Sequence, residues 1–541
     1  MQKIEPKKII SYSTVGIFLI FLSYLLIYFY LINSFIQQYN LLFIIIFILS
    51  AVLFIISILN LEISLLIFIF FIPLFNSLPY ILGNLHDFPS IYFLFIGLFL
   101  GSLINIVKRN KSLLYFNELR IYIPIFIFII LCLISFIFTF SRLINFYPFI
   151  ESKVQSYTIN VLGWNNFIAL SYLTSSFLNY LSGFLLLLII INIDIREKFI
   201  KYFFYIISIS FLVVFLIMLY QIFINPGFGN IDYWVKAVRV NSTLTDPNSL
   251  GEYIFILFPI FIGFGYYFYG RNKYLSIFSF VLCLLALIMM SYSGSRTSIV
   301  GIGIIFLIYF IYLGVTLFKK IFQKFNLKKI VLNIISYFLI LSVLLLFFFG
   351  LIFIVKNAHL GDDSPIILSR IKSDIEKIGK SNFLGYVSSI SSGRNILWKQ
   401  AINMFLDYPV SGVGIGQYYT EISNYNVIKY GITSVIDITN NYYLQILSEM
   451  GMIALMIILW FFIEVFLASI FVFKIIVNKR FKFLYFNFLL CFIVTLIIFN
   501  TGPNIIFFEI QYIFMIIIGF LINFRINFDK ESYQYILNEN S

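Results

Sequence analysis

The chain runs to 541 residues, of which 62% are hydrophobic, 21% aromatic and only 11% charged. No soluble core hides that much apolar surface, and a mean hydropathy of +1.02 points to lipid as the solvent. A net charge of +13 invites thoughts of nucleic acid, but the basic residues sit between apolar runs, where they set membrane topology instead.

Fourteen apolar runs are each long enough to cross a hydrocarbon core of roughly 30 Å. They fall near 13–33, 41–60, 62–82, 89–107, 121–140, 178–193, 202–224, 251–269, 274–292, 298–317, 330–355, 443–473, 484–500 and 504–524. A membrane barrel is excluded, because it would alternate polarity in segments of about 10 residues. The first run lacks a small-residue cleavage site and reads as a span, not a removed signal peptide. Cys132, Cys283 and Cys491 all lie inside apolar runs and read as small core residues, without metal spacing or a disulfide framework. The expected fold is all-α: a polytopic α-helical membrane protein of about 14 transmembrane helices. It carries a large extracytoplasmic loop at about 357–440 with short helices in it.

Basic clusters occupy alternate loops: Lys3, Lys7 and Lys8; Lys108, Arg109 and Lys111; Arg196, Lys198 and Lys201; Arg271 and Lys273. Lys319, Lys320, Lys324, Lys328 and Lys329 continue the pattern, followed by Lys474, Lys479, Arg480 and Lys482, and then Arg525 and Lys530. The positive-inside rule makes these loops and both termini cytoplasmic. The polar segments 84–88, 142–177, 226–250, 293–297, 357–440 and 500–503 then lie on the opposite face. No Gly-x-x-x-x-Gly-Lys-Ser/Thr motif occurs, so chemistry is expected outside the cytoplasm and without a nucleotide at this chain.

Four polar features share that outer face. Arg239 precedes Asp246-Pro247-Asn248, a turn and N-cap signal. An arginine poised over helix-terminal N–H groups makes an anion site. Ser293-Gly294-Ser295-Arg296-Thr297 is a tight turn that pins Arg296 at the interface. Arg296 there either snorkels to anchor a helix end or binds phosphate through its two-pronged fork. Arg394 opens a helix to about Phe405, with an apolar stripe at Leu397, Ala401, Met404 and Phe405 that could lie on the membrane or on the bundle. Gly412, Gly414 and Gly416 follow and allow close backbone approach. The fourth feature is Asp437-Ile-Thr-Asn440-Asn441-Tyr442-Tyr443-Leu444-Gln445, with Glu449 one turn further on. Asn440 reads as a helix N-cap, and Gln445 faces Glu449 at i, i+4. Glu464, deeper in the same run, is an intramembrane carboxylate and so either a site candidate or a helix-packing contact. His86 and His359 read as ordinary surface histidines.

The order Arg239…Asp246-Pro247-Asn248, Ser295-Arg296, Arg394…Gly412-Val-Gly414-Ile-Gly416 and Asn440-Asn441…Leu444-Gln445…Glu449…Gly451 resembles the O-antigen ligase and O-antigen polymerase family. The resemblance covers roughly 235–475, with 1–234 as preceding transmembrane helices and 476–541 as closing helices and a cytoplasmic tail. It implies a metal-independent glycosyltransferase, needing no cofactor, at the outer face of the bacterial inner membrane. The donor would be a glycan on undecaprenyl pyrophosphate and the acceptor a glycan or lipid. Membrane lipids would surround the protein, and a chain-length regulator or flippase would be its protein partner; nucleic acid would not. Arginines would hold the pyrophosphate, here Arg296, Arg394 and Arg239. Asp246, Asn248, Asn441, Gln445 and Glu449 would line the substrate site.

In ligases of this family a histidine opens the last motif and is the proposed base. The matching position here is Asn440. An amide takes no proton near neutral pH, which moves the expectation from ligase toward polymerase. Asp437, about one helical turn earlier, is the nearest carboxylate to serve as base. A ligase acting on lipid A core or protein, and a lipid-linked glycan flippase, are the alternatives.

Overall fold

The computed structural model describes residues 40–75, 91–108, 119–150, 166–230, 232–322, 394–422, 425, 438–502 and 507–526. Among them the chain forms fourteen helices. They are α1 (Asn40–Leu59), α2 (Leu61–Phe71), α3 (Ile91–Lys108), α4 (Leu119–Ile150), α5 (Asn166–Ile191), α6 (Glu197–Phe223) and α7 (Asp232–Lys236). They continue as α8 (Pro247–Phe268), α9 (Lys273–Ser293), α10 (Arg296–Phe322), α11 (Arg394–Asp407), α12 (Tyr442–Ile475), α13 (Lys479–Ile498) and α14 (Phe508–Ile526). No strand occurs among the described residues, and nine of these helices are long and apolar enough to cross a membrane. The protein is therefore an all-α, polytopic membrane protein. The runs expected at 13–33 and 330–355 lie outside the described residues, as do Asp437, His86, His359 and residues 357–393 of the large loop.

Local signals start and stop these helices as their residues dictate. Asp246 caps α8 through Ser249 N at 2.5 Å, with Pro247 as the first helical residue. Asn272 caps α9, and Gly294 ends it in the left-handed conformation. Helix α4 continues to Ile150 and α5 starts at Asn166, so helix covers much of the 142–177 segment that reads as loop. Where side chains of that segment are described, as at Thr174, they bury against protein. Thr174 and Asn179 of α5 are buried, and Ser182 accepts Tyr512 Oη from α14 at 2.9 Å.

Hydrocarbon supplies no hydrophobic drive between helices, so small residues and interhelical hydrogen bonds set the close contacts. Gly97 and Gly101 of α3 lie so near α1 that a Cβ on Gly97 would stand 2.2 Å from Ser50 O. Ser57 Oγ donates to Leu98 O at 3.0 Å across the same seam. Helices α5, α8 and α14 are the most enclosed, and Cys132, Cys283 and Cys491 are buried free thiols.

Cross-links between helix ends sort the bundle into two layers. One end holds the basic loops, with Arg271 paired to Glu197 at 2.7 Å and Asn523 Nδ2 donating to Ile193 O at 2.9 Å. The other end gathers the C-termini of α4, α6, α9 and α13 with the N-termini of α5, α8, α10, α12 and α14. Apart from Glu464, every candidate site residue that is described sits at this second end, where the alternation of charged and polar loops in the sequence puts it.

Candidate functional site

Two clusters form the polar end. The first surrounds Arg239, which is only 5% exposed. Its Nε donates to Ser293 O at 2.9 Å and its Nη2 to Asn248 Oδ1 at 2.8 Å, while the guanidinium lies 4.8 Å from the Trp234 ring. Asp246 spends one oxygen on the cap of α8 and the other on Asn248 Nδ2 at 3.4 Å. Arg239 thus clamps the 239–248 segment to the turn that carries Arg296. That turn is built on hydroxyls: Ser295 Oγ meets Thr297 Oγ1 at 2.8 Å and Ser298 Oγ at 2.8 Å. It packs on Gly251 of α8, where a Cβ would stand 2.0 Å from Ser298 Oγ. Arg296, half-buried, opens α10 beside it.

The second cluster surrounds the start of α12. Asn440 adopts a left-handed φ of +53°, and its Nδ2 donates to Ile438 O at 3.0 Å. The N-cap is the next residue: Asn441 Oδ1 accepts Leu444 N at 3.0 Å, and its Nδ2 donates to Asn500 O at 3.1 Å. The expected cap is therefore displaced by one position, because Asn440 spends its backbone on the turn that precedes the helix. Arg394 Nη1 donates to Thr501 O at 2.6 Å, two residues from the Tyr442–Phe499 backbone bond. Arg394 and Asn441 therefore share one support, the turn that closes α13.

Gln445 and Glu449 face each other and hydrogen-bond as their spacing predicts. Glu449 also binds the Gly412–Gly416 segment: its Oε2 accepts Gly416 N at 2.9 Å and its Oε1 accepts Tyr418 N at 3.3 Å. The reason this segment can dock is a break in α12. Gly451 has φ +78° and ψ −176°, a conformation open essentially to glycine alone. The break frees two carbonyls, so that Val413 N reaches Ser448 O at 2.8 Å and Gly414 N reaches Glu449 O at 2.9 Å. The glycine-rich segment is thus a wedge between helices. Ile415 N reaches Ser135 of α4 at 3.0 Å, and Gln417 Nε2 reaches Ala169 O of α5 at 3.1 Å.

Helix α11 lies on this wedge. Leu397, Ala401 and Met404 bury against Val413, Tyr418, Ile422 and Tyr425, so its apolar stripe faces protein. Burial first, then the Asp407 carboxylate, holds the Tyr425 phenol well above its ordinary range. Glu464 turns away from the site and accepts Trp460 Nε1 at 3.2 Å on the outer side of α12.

Three site-end residues escaped the sequence reading. Arg142 of α4 donates to Val413 O at 2.7 Å and pairs with Glu421 at 3.2 Å, fixing the wedge from outside. Thr245 and Glu509 join the first cluster to the start of α14: Thr245 N donates to Glu509 Oε1 at 3.0 Å, and its hydroxyl donates to the same oxygen. A carboxylate inside the apolar run Phe507-Phe508-Glu509-Ile510 was itself a signal. The segment 499–509 touches both clusters, although residues 503–506 are outside the described set. Among the described residues no group of three His, Cys, Asp or Glu is placed to hold a metal ion.

Fold and site together define a multi-pass helical membrane protein that gathers arginines, amides and carboxylates at one end of its bundle. Residues 278–459 match the family model described as O-antigen ligase. The match takes in Arg296, Arg394, Asn440, Asn441, Gln445 and Glu449, and stops short of Arg239, Asp246 and Asn248. No curated protein matches the chain. The match supports an activity of the ligase or polymerase type in surface polysaccharide assembly.

Proposed function

We infer that the protein polymerises glycan repeat units carried on undecaprenyl pyrophosphate, at the outer face of a bacterial inner membrane. The carrying observation is the family match over a region whose arginines collect at the bundle end opposite the basic loops. The positive-inside rule assigns the basic end to the cytoplasm and so the site to the outer face. There Arg296 and Arg394 hold the donor pyrophosphate, while Arg239 keeps the 293–297 turn in place. Negative charge grows on the pyrophosphate as the glycosidic bond breaks, and fixed guanidinium groups stabilise it without reorganising. Polymerase is favoured over ligase because Asn440, not histidine, opens the last motif, and an amide is no base.

The test is deletion of the gene followed by analysis of surface glycan. Core capped with a single repeat unit supports a polymerase. Uncapped core with carrier-linked polymer accumulating behind it refutes the polymerase and favours a ligase. Single units that no longer reach the outer leaflet point to a flippase.

A further inference from the structure

Glycosyl transfer to a hydroxyl releases a proton, and the last motif offers Asn440 where a base would stand. A buried carboxylate at the site end leaves one of its oxygens outside any hydrogen bond among the described residues. Glu509 is fully buried at the first turn of α14. Its Oε1 accepts both Thr245 N, at 3.0 Å, and the Thr245 hydroxyl. Its Oε2 is buried too and has no hydrogen-bond partner among the described residues. Its charged neighbour is Asp246, which bears on it with the same sign. Asp246 itself is committed to Ser249 N and Asn248 Nδ2.

A buried, unpaired carboxylate is destabilising by several kcal/mol, and a glutamine would accept from Thr245 equally well. Retaining the acid therefore asks for a use of Oε2. Its placement supplies one. Thr245 belongs to the segment that Arg239 clamps to the Arg296 turn, and α14 is preceded by the turn that supports Arg394 and Asn441. Glu509 thus ties the first turn of α14 to the segment that Arg239 clamps.

We propose that Glu509 is the general base, resting on the glycosyl-transfer reading above. The acceptor hydroxyl oxygen forms a bond to the anomeric carbon of the donor sugar. The bond from that carbon to the pyrophosphate oxygen breaks, and its electron pair leaves with the polyprenyl pyrophosphate. The hydroxyl proton passes to Glu509 Oε2, which holds it as the carboxylic acid. Thr245 holds the opposite oxygen, so the free one is aimed by two hydrogen bonds.

The test uses purified full-length protein in lipid nanodiscs, with the undecaprenyl-pyrophosphate-linked repeat unit of the source strain as donor and acceptor. A positioned base contributes about 10²–10⁴ in rate, so Glu509→Gln should lower kcat by that factor. KM should stay unchanged, because the interaction is made only in the transition state. Wild-type kcat in Glu509→Gln overturns the assignment. If Gln also lowers the thermal midpoint, Glu509→Asp decides. This variant keeps a proton acceptor, so turnover above that of Gln supports the base, and turnover at or below it shows a structural role. A wild-type protein that makes no product from this donor refutes the polymerase reading itself, whereas active wild type with active Glu509→Gln refutes the base alone.

Discussion

Gly451→Ala tests whether the break in α12 is what holds the glycine-rich wedge. The native φ of +78° with ψ −176° strains any residue with a side chain by about 2 kcal/mol. An added Cβ would stand 2.2 Å from Val410 O and 2.9 Å from Pro409 O, both backbone atoms that cannot rotate aside. Relief requires the 409–414 segment to retreat, which removes three bonds: Val413 N to Ser448 O, Gly414 N to Glu449 O, and Met452 N to Pro409 O at 3.0 Å. Each contributes about 1 kcal/mol net. Alanine also favours a closed, regular α12 by about 1 kcal/mol, which adds to the strain in the docked state. Together they shift the balance by about 3 kcal/mol against the docked wedge, roughly a hundredfold in its population. Hydrogen exchange at the Val413, Gly414 and Met452 amides should accelerate by a factor of that order, while the protein still inserts normally. Glycan product should fall with it. Exchange rates equal to wild type at these three amides would refute the reasoning.

Other perturbations read the remaining parts. Glu449→Ala strands Gly416 N and Tyr418 N, at about 1–3 kcal/mol each. Their amide exchange should rise more than in Glu449→Gln, which keeps one acceptor. Arg394→Ala and Arg296→Ala should each weaken donor binding by about 10- to 100-fold, the worth of one charge-assisted contact. Full-length polymer from both variants would remove the arginines from the pyrophosphate site. Asn440→Gly should retain the thermal midpoint, since glycine accepts the φ of +53° freely, whereas Asn440→Ala should lose about 1 kcal/mol. If both variants keep full turnover, Asn440 acts through the backbone and has no part in the chemistry.

The pattern of spans was legible because membrane insertion is read from local composition: nine of the expected runs fall on described helices long and apolar enough to cross a membrane. Caps were legible for the same reason, as at Asp246 and Gly294, where a side chain or a missing Cβ acts on atoms a few residues away. The Gln445–Glu449 pair followed from helical spacing alone. The lengths of α4 and α5 did not, because their polar residues find partners in other helices and so carry no local mark of being inside.

The residues alone therefore determined the solvent of this protein, its helical class and the end of the bundle on which its polar groups collect, since hydropathy and charge act one segment at a time. Only the tertiary structure decided what those groups do to one another. The three glycines of 412–416 became a wedge because α12 breaks at Gly451 and offers free carbonyls. Arg239 became a clamp because Ser293 O lies within its reach from another loop. Glu509 and Thr245 are 264 positions apart, and no local periodicity encodes a contact of that range. It exists because folding brings the segment before α8 against the first turn of α14, where lipid offers no hydrogen bonds of its own.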